Sequence, residues 1–238
     1  IDKTVKVSVV LPTYNEAGNI VSLVEEILRV MPAGFQQEVI VVDDDSPDNT
    51  GEIARQAFAS NPAVKILSRT EDRGLANSIR YGIEHAIGDS VVVMDTDFTH
   101  NPAEIPRLLH VGEIYDMVSG SRFCVGGNME GKAHYLASFV YNLVLRVILR
   151  TQVQDNLGGF FIMNRKKLLS LPFDKIFFGY GDYFFRLIYL VERRGYTIIE
   201  VPAFYEIRSR GKSKSNFLKM FYKYSWSALK FVGSRDIR

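Results

Sequence analysis

Short runs of apolar, largely β-branched residues alternate along the chain with longer segments in which apolar residues recur every three or four positions. Such runs are typical of strands inside a sheet, and the longer pattern is typical of amphipathic helices. The strand pattern occurs at residues 5–11, 39–42, 64–67, 91–94 and from 117 onward. Helical spacing occurs between them, at residues 20–30, at 52–59 (with Asn49 and Thr50 as candidate caps) and after Arg73. This alternation predicts an α/β fold with a mostly parallel, doubly wound central sheet.

The pattern changes beyond Gly131. Residues 136–149 are apolar on most sides, which predicts a buried core helix, with membrane contact as the less favoured alternative. The segment GGFFIMNR is either a strand or a close-packed glycine turn, and further elements are a helix at 183–192 and a strand at 198–201. In residues 217–232, aromatic residues alternate with lysines. This pattern predicts an amphipathic basic helix, either at a membrane interface or packed on the domain with its lysines directed outward.

Charge is unevenly distributed, although the net charge is only +2. Nine of the 29 lysines and arginines lie within residues 208–238, where Asp236 is the only acidic residue. Such a segment suits an anionic surface, and its interleaved aromatic residues favour lipid headgroups over nucleic acid. The single cysteine, Cys124, excludes an intramolecular disulfide and fits a reducing compartment. We expect no signal peptide and no transmembrane helix within the sequence, since no apolar run reaches about 18 residues.

Polar residues that can bind metal or phosphate follow the predicted strands. Two carboxylates, Asp95 and Asp97, end the fourth strand, and carboxylate oxygens are the ligands that Mg²⁺ and Mn²⁺ prefer. An acidic turn that caps the next helix is the alternative for this motif alone. The other strands are followed by Asn15, Glu16, Asp43, Asp44, Asp45, Arg69, Arg73 and Arg122. Carboxylates and arginines at one edge of the sheet favour a nucleotide site, but the first strand is followed by neither dinucleotide-binding nor P-loop glycines.

Six motifs, in order, resemble the inverting, nucleotide-sugar-dependent glycosyltransferases of family two. They are VVLPTYNEAGNI, VIVVDDDSPDNT, RGLANSI, MDTDFTHNP, SGSRF and EVPAFYEIRSRGKSKSN. The similarity covers nearly the whole chain and is greatest to the dolichyl-phosphate mannose synthase type and to polyprenyl-phosphate glucosyltransferases. It implies a GT-A domain over residues 1–215 and a basic interfacial helix over 216–238. It also implies a nucleotide-sugar donor, Mg²⁺ or Mn²⁺, and a membrane-embedded polyprenyl phosphate acceptor.

The resemblance also assigns the donor side of the site. Asp95 and Asp97 would hold the metal against the donor diphosphate, and Asp97 would be essential for catalysis. Thr99 stands where relatives often have a glutamine that completes the metal ligands, and a hydroxyl can take that place or leave it to water. The nucleoside would be bound by Pro12, Tyr14, Glu16, Asp43 and Asp44.

The acceptor phosphate, by the same resemblance, would face Arg122, Ser138, Arg208 and Lys214, with Arg122 and Arg208 also contributing to catalysis. His134 stands where the family pattern has an arginine. A histidine donates fewer hydrogen bonds and is charged only when protonated, so phosphate binding there is expected to be weaker or pH-dependent.

The function implied is transfer of a hexose, with inversion, from a nucleotide sugar to a polyprenyl phosphate at the cytoplasmic face of a membrane. GDP-mannose is the favoured donor and UDP-glucose the alternative. A phosphate acceptor is already anionic and needs no protein base, because the second pKa of a phosphate monoester is about 6. A sugar-hydroxyl acceptor would need a base, for which Asp182 is the candidate. A nucleotide-binding membrane-surface module without catalysis is the remaining alternative, which Thr99 and His134 favour.

Overall fold

A seven-stranded mixed sheet forms the centre of the computed structural model, which describes residues 5–206 and 217–234, with the backbone alone at 217–220. The strands are β1 (Val5–Thr13), β2 (Phe35–Asp43), β3 (Val64–Ser68), β4 (Ser90–Val93), β5 (Met117–Ser121), β7 (Phe161–Asn164) and β8 (Ile198–Pro202). Their order across the sheet is β3-β2-β1-β4-β7-β5-β8. Strand β7 is antiparallel to both of its neighbours, and the other pairs are parallel. The mostly parallel sheet predicted from the sequence is therefore confirmed.

Helices cover both faces of this sheet. They are α1 (Ile20–Val30), α2 (Thr50–Ala57), α3 (Leu75–His85), α4 (Ile105–Gly112), α5 (Lys132–Leu149), α6 (Arg165–Leu169), α7 (Phe173–Ile176), α8 (Tyr183–Arg193) and α9 (Phe217–Gly233). A 3₁₀ turn, Pro102–Glu104, precedes α4, and short strands β6 (Asn128–Met129) and β9 (Phe204–Tyr205) pair separately.

Two apolar cores lie on opposite faces of the sheet because successive side chains of a strand alternate in direction. Val10 of β1 packs in one core with residues of α3, α5, α8 and α9, whereas its neighbour Val9 packs in the other with residues of α1 and α4. Helix α1 fits this arrangement, since Ile20, Leu23 and Ile27 recur at helical spacing and are fully buried. Burial of β1, β2 and β4 on both faces explains their uninterrupted apolar runs.

Several predicted elements differ from the structure. Helix α2 begins at Thr50, and Asn49 adopts a left-handed conformation (φ 62°) without a side-chain cap; the carboxylate of Asp48 instead accepts the Thr50 N–H at 3.1 Å. The segment GGFFIMNR, predicted as either a strand or a glycine turn, supplies β7. Helix α5 is not a fully buried core helix: Leu136 and Val147 are 61% and 71% exposed, because only the side with Tyr141, Leu145 and Leu149 packs in the core and on α9.

The C-terminal helix α9 packs against α5 and α8. Tyr224, Ala228 and Phe231 are buried in the same core as α8, and the Phe231 ring lies 5.4 Å from that of Tyr189. The opposite side of α9 exposes Trp226 (63%) and other apolar residues. The interpretation as a helix packed on the domain is therefore confirmed for the inner face, and contact of the outer face with a membrane stays a prediction. The predicted boundary between residues 215 and 216 lies outside the described residues and stays a prediction.

Candidate active site

A cavity of about 460 Å³ opens at the carboxyl ends of the parallel strands. It lies where β1 has β2 on one side and β4 on the other, the point at which the order of an open α/β sheet reverses and ligands commonly bind. Six of the residues predicted for the donor side line it: Pro12, Tyr14, Glu16, Asp44, Asp95 and Asp97. The topology thus brings together residues from the ends of three strands.

Asp44 is held in place by the start of α3. Its carboxylate accepts hydrogen bonds from Arg69 Nη1 at 2.9 Å and from the Gly74 N–H at 2.6 Å. Arg69 also donates to Ser78 Oγ at 3.0 Å and to the Asp72 carbonyl at 2.7 Å. This buried ion pair shapes the cavity wall, so the arginine predicted to follow the third strand serves to fix Asp44.

Asp43 does not line the cavity, in contrast to Asp44. It is 5% exposed, and its carboxylate accepts hydrogen bonds from the backbone N–H and hydroxyl of Ser46. A Cβ at Gly51 would lie 2.7 Å from its Oδ2 atom, so α2 packs directly on this carboxylate. Adjacent residues at the end of β2 point in different directions, and the structure brings only Asp44 to the donor side.

The turn after β4 presents Asp95 and Asp97 to the cavity. The Asp95 side chain is 42% exposed, whereas Asp97 is 4% exposed. Asp97 Oδ1 accepts both the N–H of Thr99, at 3.1 Å, and the Thr99 hydroxyl. Phe98 allows the chain to turn back by adopting a left-handed conformation (φ 63°), which is uncommon for a bulky residue. Thr99 therefore orients Asp97, and its role as a metal ligand stays a prediction.

His100 supports Asp95 from inside the protein, and the sequence reasoning missed it. Its ring is 1% exposed, and Nδ1 accepts the Asp95 N–H at 2.9 Å while Nε2 lies 3.9 Å from Asp95 Oδ2. The ring stacks on Phe160 at 5.0 Å and meets the edge of Tyr205 at 4.6 Å. Because Nδ1 accepts a hydrogen bond from a backbone N–H, it is the ring nitrogen that carries no hydrogen in this arrangement. Its place in THNP, three residues after Asp97, was the available signal.

These carboxylates fit a divalent cation that is shared with a diphosphate. Among residues 5–206 and 217–234, no group of three or more histidines, cysteines, aspartates or glutamates could hold a metal by itself. Mg²⁺ is commonly bound by one or two carboxylates together with substrate phosphates and water. Asp95 and Asp97 are such a pair, and they face a cavity that can admit the phosphates.

Arg122 is engaged by an aspartate that was not predicted. Its Nε and Nη2 atoms donate to the two carboxylate oxygens of Asp155 at 2.8 and 2.7 Å, and its backbone N–H donates at 3.1 Å. Burial alone would lower the pKa of Arg122, but the charge and hydrogen bonds of Asp155 raise it above its ordinary value. Glu200 holds the segment that carries Asp155 by accepting the N–H groups of Gln154 and Asp155. Arg122 is thus a fixed cation, held by three hydrogen bonds to one carboxylate; it does not line the cavity described above.

The predicted acceptor residues lie partly on α5. His134 is exposed in its first turn, and Ser138, one turn later, is 9% exposed. Arg208 and Lys214 lie outside the described residues, so their roles remain predictions.

Asp182, the candidate base for a hydroxyl acceptor, is 4% exposed and outside the cavity lining. Its Oδ2 atom accepts from Arg186 Nη1 at 2.6 Å and from the Ser227 hydroxyl at 3.0 Å, and Oδ1 accepts the Tyr180 N–H at 2.9 Å. Arg186 itself is fully buried. Both carboxylate oxygens of Asp182 are therefore engaged, and the negative charge of this carboxylate is neutralised by Arg186.

Comparison with known proteins agrees with this geometry. The model of the family described as glycosyl transferase family 2 matches residues 8–171. The chain is 33% identical to a dolichol-phosphate mannosyltransferase of Pyrococcus furiosus, over 97% of this chain and 66% of that protein, so it spans about two thirds of that relative. It is 35% identical to an undecaprenyl-phosphate mannosyltransferase of Micrococcus luteus, over 88% of this chain and 87% of the relative. Identity to a polyprenol monophosphomannose synthase of Mycolicibacterium smegmatis is 30%, over 92% and 86%.

Solved structures support the fold. A glucosyl-3-phosphoglycerate synthase from Mycobacterium tuberculosis, in complex with Mn²⁺, UDP and glucosyl-3-phosphoglycerate, superimposes with a TM-score of 0.69 at 22% identity, covering 96% of this chain and 78% of that one. The same enzyme with Mg²⁺ and UDP gives a TM-score of 0.69 at 23% identity over the same shares of the two chains. The predicted GT-A fold is confirmed. With the family model matching most of the chain and three relatives at 30–35% identity, this chain belongs to glycosyl transferase family 2 and is a glycosyltransferase.

Proposed function

We propose that this enzyme transfers a hexose, with inversion, from a nucleotide-diphosphate sugar to a polyprenyl phosphate at a membrane surface, and that GDP-mannose is the donor. The observation that carries the proposal is the carboxylate pair Asp95 and Asp97 in a cavity at the carboxyl edge of the sheet. The names of the three relatives, each of which refers to mannose and a polyprenol-type phosphate, support the acceptor class and the sugar.

The donor would lie with its nucleoside between the end of β1 and the start of α3, against Tyr14, Glu16 and Asp44, which line that part of the cavity. Its diphosphate would reach Asp95 and Asp97, which would hold Mg²⁺ or Mn²⁺ with it. When bound, the cation supplies positive charge that stabilises the negative charge developing on the leaving diphosphate. Asp97 is oriented for this by Thr99, and Asp95 by the buried ring of His100.

The acceptor phosphate would approach the anomeric carbon from the face opposite the diphosphate. Arg122 is the proposed ligand for it: Asp155 engages the Nε and Nη2 atoms of the guanidinium, and the Nη1 atom lies outside that pair. Ser138 on α5, and Arg208 and Lys214 beyond the described residues, are proposed to bind the same phosphate. His134 adds charge only when it is protonated.

The surface next to this region supports a lipid acceptor. Helix α5 exposes a stripe of apolar residues at helical spacing: Leu136, Phe139, Val140, Leu143 and Val147. Helix α9, which packs beside it, exposes Phe221, Tyr222, Trp226 and Leu229. No helix in the described part of the chain is both long and apolar enough to span a bilayer. We therefore propose that these two helices lie in the interface, where amphipathic helices bury one face among the acyl chains.

The state of Asp182 favours a phosphate over a hydroxyl acceptor. A hydroxyl nucleophile needs a base within hydrogen-bond reach, and both oxygens of Asp182 are engaged by Arg186, Ser227 and the loop backbone. A phosphate monoester arrives already anionic. The proposed reaction therefore places no demand on this carboxylate.

A donor screen tests the proposal. GDP-mannose, UDP-glucose and UDP-GlcNAc are each incubated with a short polyprenyl phosphate and Mn²⁺, and the lipid-linked product is measured. We expect product from GDP-mannose, loss of turnover in the nearly isosteric Asp97→Asn variant, and full activity in Asp174→Asn, whose carboxylate is 88% exposed in a surface ion pair. A preference for UDP-glucose would move the chain to the glucosyltransferase alternative. Retention of activity in folded Asp97→Asn protein would remove the metal role from this motif.

A further inference from the structure

Buried polar contacts join the C-terminal helix α9 to the loop that connects α7 with α8, at residues 179–182. The hydroxyl of Tyr224 accepts the Gly181 N–H at 3.1 Å. The hydroxyl of Ser227, one turn further along α9, donates to Asp182 Oδ2 at 3.0 Å. Tyr224 is only 2% exposed, although it lies on a helix whose other side carries some of the most exposed aromatic residues of the protein. The inner face of α9 therefore forms hydrogen bonds to this loop in addition to its apolar packing.

The same loop forms part of the wall of the donor cavity. Tyr180 lines that cavity, and its backbone N–H donates to Asp182 Oδ1 at 2.9 Å. On the far side, a Cβ at Gly74 would lie 4.0 Å from the Gly179 carbonyl oxygen, and Gly74 is the residue that donates its N–H to Asp44. The loop thus lies between α9 and the start of α3, with Tyr180 directed to the site.

The conformation of this loop depends on its contacts with α8 and α9, because the loop contains glycines and a carboxylate in a buried ion pair. Gly179 has a φ of 78°, which favours glycine, and a Cβ at Gly181 would lie 3.0 Å from the Tyr224 hydroxyl. Arg186 reaches the loop from α8: it pairs with Asp182, donates to the Ile176 carbonyl at 2.9 Å and places its guanidinium carbon 3.7 Å from the centre of the Phe178 ring. A buried ion pair offsets the loss of hydration only when its hydrogen bonds are complete. Ser227 contributes one of these bonds.

We propose that Tyr224 and Ser227 are positioning residues for the donor site, through which α9 holds Tyr180 in the cavity wall. This inference rests on the proposed function, in that the cavity is taken to bind the nucleotide diphosphate of the donor. Removing either hydroxyl frees one side of the 179–182 loop, so Tyr180 samples orientations that do not bind the nucleotide. The apparent nucleotide affinity is then the intrinsic affinity multiplied by the fraction of molecules in which the wall is correctly formed, so it falls as that fraction falls.

The placement of α9 would couple membrane binding to nucleotide binding. The helix presents Tyr222, Trp226 and Leu229 to the surface and Tyr224 and Ser227 to the loop, so one rigid element contacts both. A membrane that binds the outer face and favours the seated position of α9 must also raise nucleotide affinity. The coupling is reciprocal, so bound nucleotide must raise the affinity of the protein for the membrane by the same factor.

Calorimetric titration of the full chain with GDP and Mn²⁺ tests the proposal in three variants: Tyr224→Phe, Ser227→Ala and the double variant. Tyr224→Phe removes the bond to the Gly181 N–H. Ser227→Ala removes both the bond to Asp182 and the one that the hydroxyl accepts from Arg186 Nη1 at 3.3 Å. We expect nucleotide affinity to fall about two- to tenfold for each variant. The matched control is Ser234→Ala, which deletes a hydroxyl just after the end of the same helix, where it donates to the Phe231 carbonyl at 3.1 Å, and it should bind like the parent protein. Ser227→Thr keeps the hydroxyl and should restore most of the affinity lost in Ser227→Ala.

Two further measurements distinguish positioning from a general loss of stability. The acceptor KM should stay unchanged in folded variants, and anionic vesicles should raise GDP affinity in the parent but not in the double variant. Parent-like GDP affinity in all three variants, or a fall only in the melting temperature, would overturn the inference alone. Failure of the parent protein to bind GDP or UDP would overturn the proposed function, and the inference with it.

Discussion

At the scale of single residues, the site depends on how each carboxylate is hydrogen-bonded. Asp95 is half-exposed above the ring of His100, Asp97 is held by Thr99, and Asp44 is held by Arg69 and Gly74. Thr99 gives the Asp97 carboxylate a fixed direction, Arg69 and Gly74 do so for Asp44, and His100 holds the backbone of Asp95. A site that is oriented before the metal arrives loses less conformational entropy on binding.

The bond from the Asp95 N–H to His100 can be tested with two amides of different length. The side-chain oxygen of His100→Asn can occupy the position of Nδ1 and still accept this N–H, whereas His100→Gln has no acceptor there. We expect His100→Gln to weaken Mn²⁺-dependent GDP binding about two- to tenfold, the scale of one hydrogen bond, and His100→Asn to weaken it less. Calorimetric titration with GDP, with and without Mn²⁺, measures the effect. Equal losses in both variants would assign His100 a packing role only.

The ion pair between Arg122 and Asp155 is expected to contribute to stability as well as to orientation. Asp155 is fully buried, and the Arg122 side chain is 11% exposed, so Asp155→Asn leaves a buried guanidinium without its counter-charge. Removing one partner of a buried pair typically costs about 3–5 kcal/mol in the free energy of unfolding. Urea denaturation measures this quantity, and Asp174→Asn in the exposed pair with Arg80 is the control, with an expected cost of at most about 1 kcal/mol. A small effect for Asp155→Asn would mean that solvent reaches Arg122.

At the scale of elements, α5 and α9 each have one face in the core and one exposed apolar face. Tyr141 of α5 and Tyr224 of α9 are buried in the same core, whereas Val147 and Trp226 are among the most exposed apolar side chains. Exposed apolar residues thus recur on two neighbouring helices, and large exposed apolar patches are typical of interaction sites. Substitution of the exposed apolar residues should therefore weaken membrane binding, whereas substitution of the buried ones should lower the stability of the fold.

Vesicle binding tests the exposed faces of these helices. Trp226 is the only tryptophan in the chain, so its emission should shift to shorter wavelength when anionic vesicles bind α9. Leu136→Ser and Val147→Ser should each weaken this binding by a factor of several, since a fully buried side chain of this kind contributes about 1.5–3 kcal/mol and these residues bury only part of their area. Ile114→Ser is the control, because Ile114 is 78% exposed but lies outside both helices.

Phe231→Ser should instead lower the melting temperature, because the ring packs against Tyr189 in the core. If the two exposed-face variants bind vesicles like the parent protein, these faces do not contact the membrane.

At the scale of the whole molecule, buried carboxylates make the fold sensitive to acid. Glu38 on β2 accepts hydrogen bonds from Ser8 and from the Ile87 N–H and pairs with Lys65, which joins β1, β3 and the end of α3. Burial alone would raise the pKa of Glu38, but Lys65 and these hydrogen bonds lower it below its ordinary value of 4.5. A carboxyl group whose pKa is lowered by folding contributes stability above its unfolded pKa and loses it as the pH falls through the folded pKa.

We therefore expect the melting temperature to fall as the pH is lowered below about 4.5, and Glu38→Gln to reduce the steepness of that fall. Thermal melts of the two proteins from neutral pH to pH 3 measure this. The pKa values of Asp48 and Asp116 are also lowered, so the variant should keep part of the dependence. An unchanged slope in Glu38→Gln would show that Glu38 titrates alike in the folded and unfolded chain.

Much of this architecture follows from local pattern. The β-branched runs predict β1, β2 and β4 as buried strands, and helical spacing of apolar residues predicts α1. Both signals are local, because the period of a strand or a helix can be recognised within a short stretch of consecutive residues. The alternation of the two fixes a mostly parallel sheet, and a parallel sheet gathers the residues that follow its strands at one edge. This logic, with the order of the family motifs, was sufficient to predict the fold, the enzyme class and the carboxylate pair at the end of β4.

Contacts between distant segments were decided only by the tertiary structure. The partners Arg122 and Asp155 are 33 residues apart, and Tyr224 and Gly181 are 43 apart, so no local period relates them. The same holds for Asp43 and Asp44: the pleat of β2 and the packing of α2 turn one carboxylate inward and leave the other for the cavity. Residues 136–149 are apolar on most sides, but which side of α5 stays exposed depends on where the sheet and α9 pack. Sequence pattern determines which side chains are stabilised by burial or by a polar partner, and the tertiary structure determines which residues they contact.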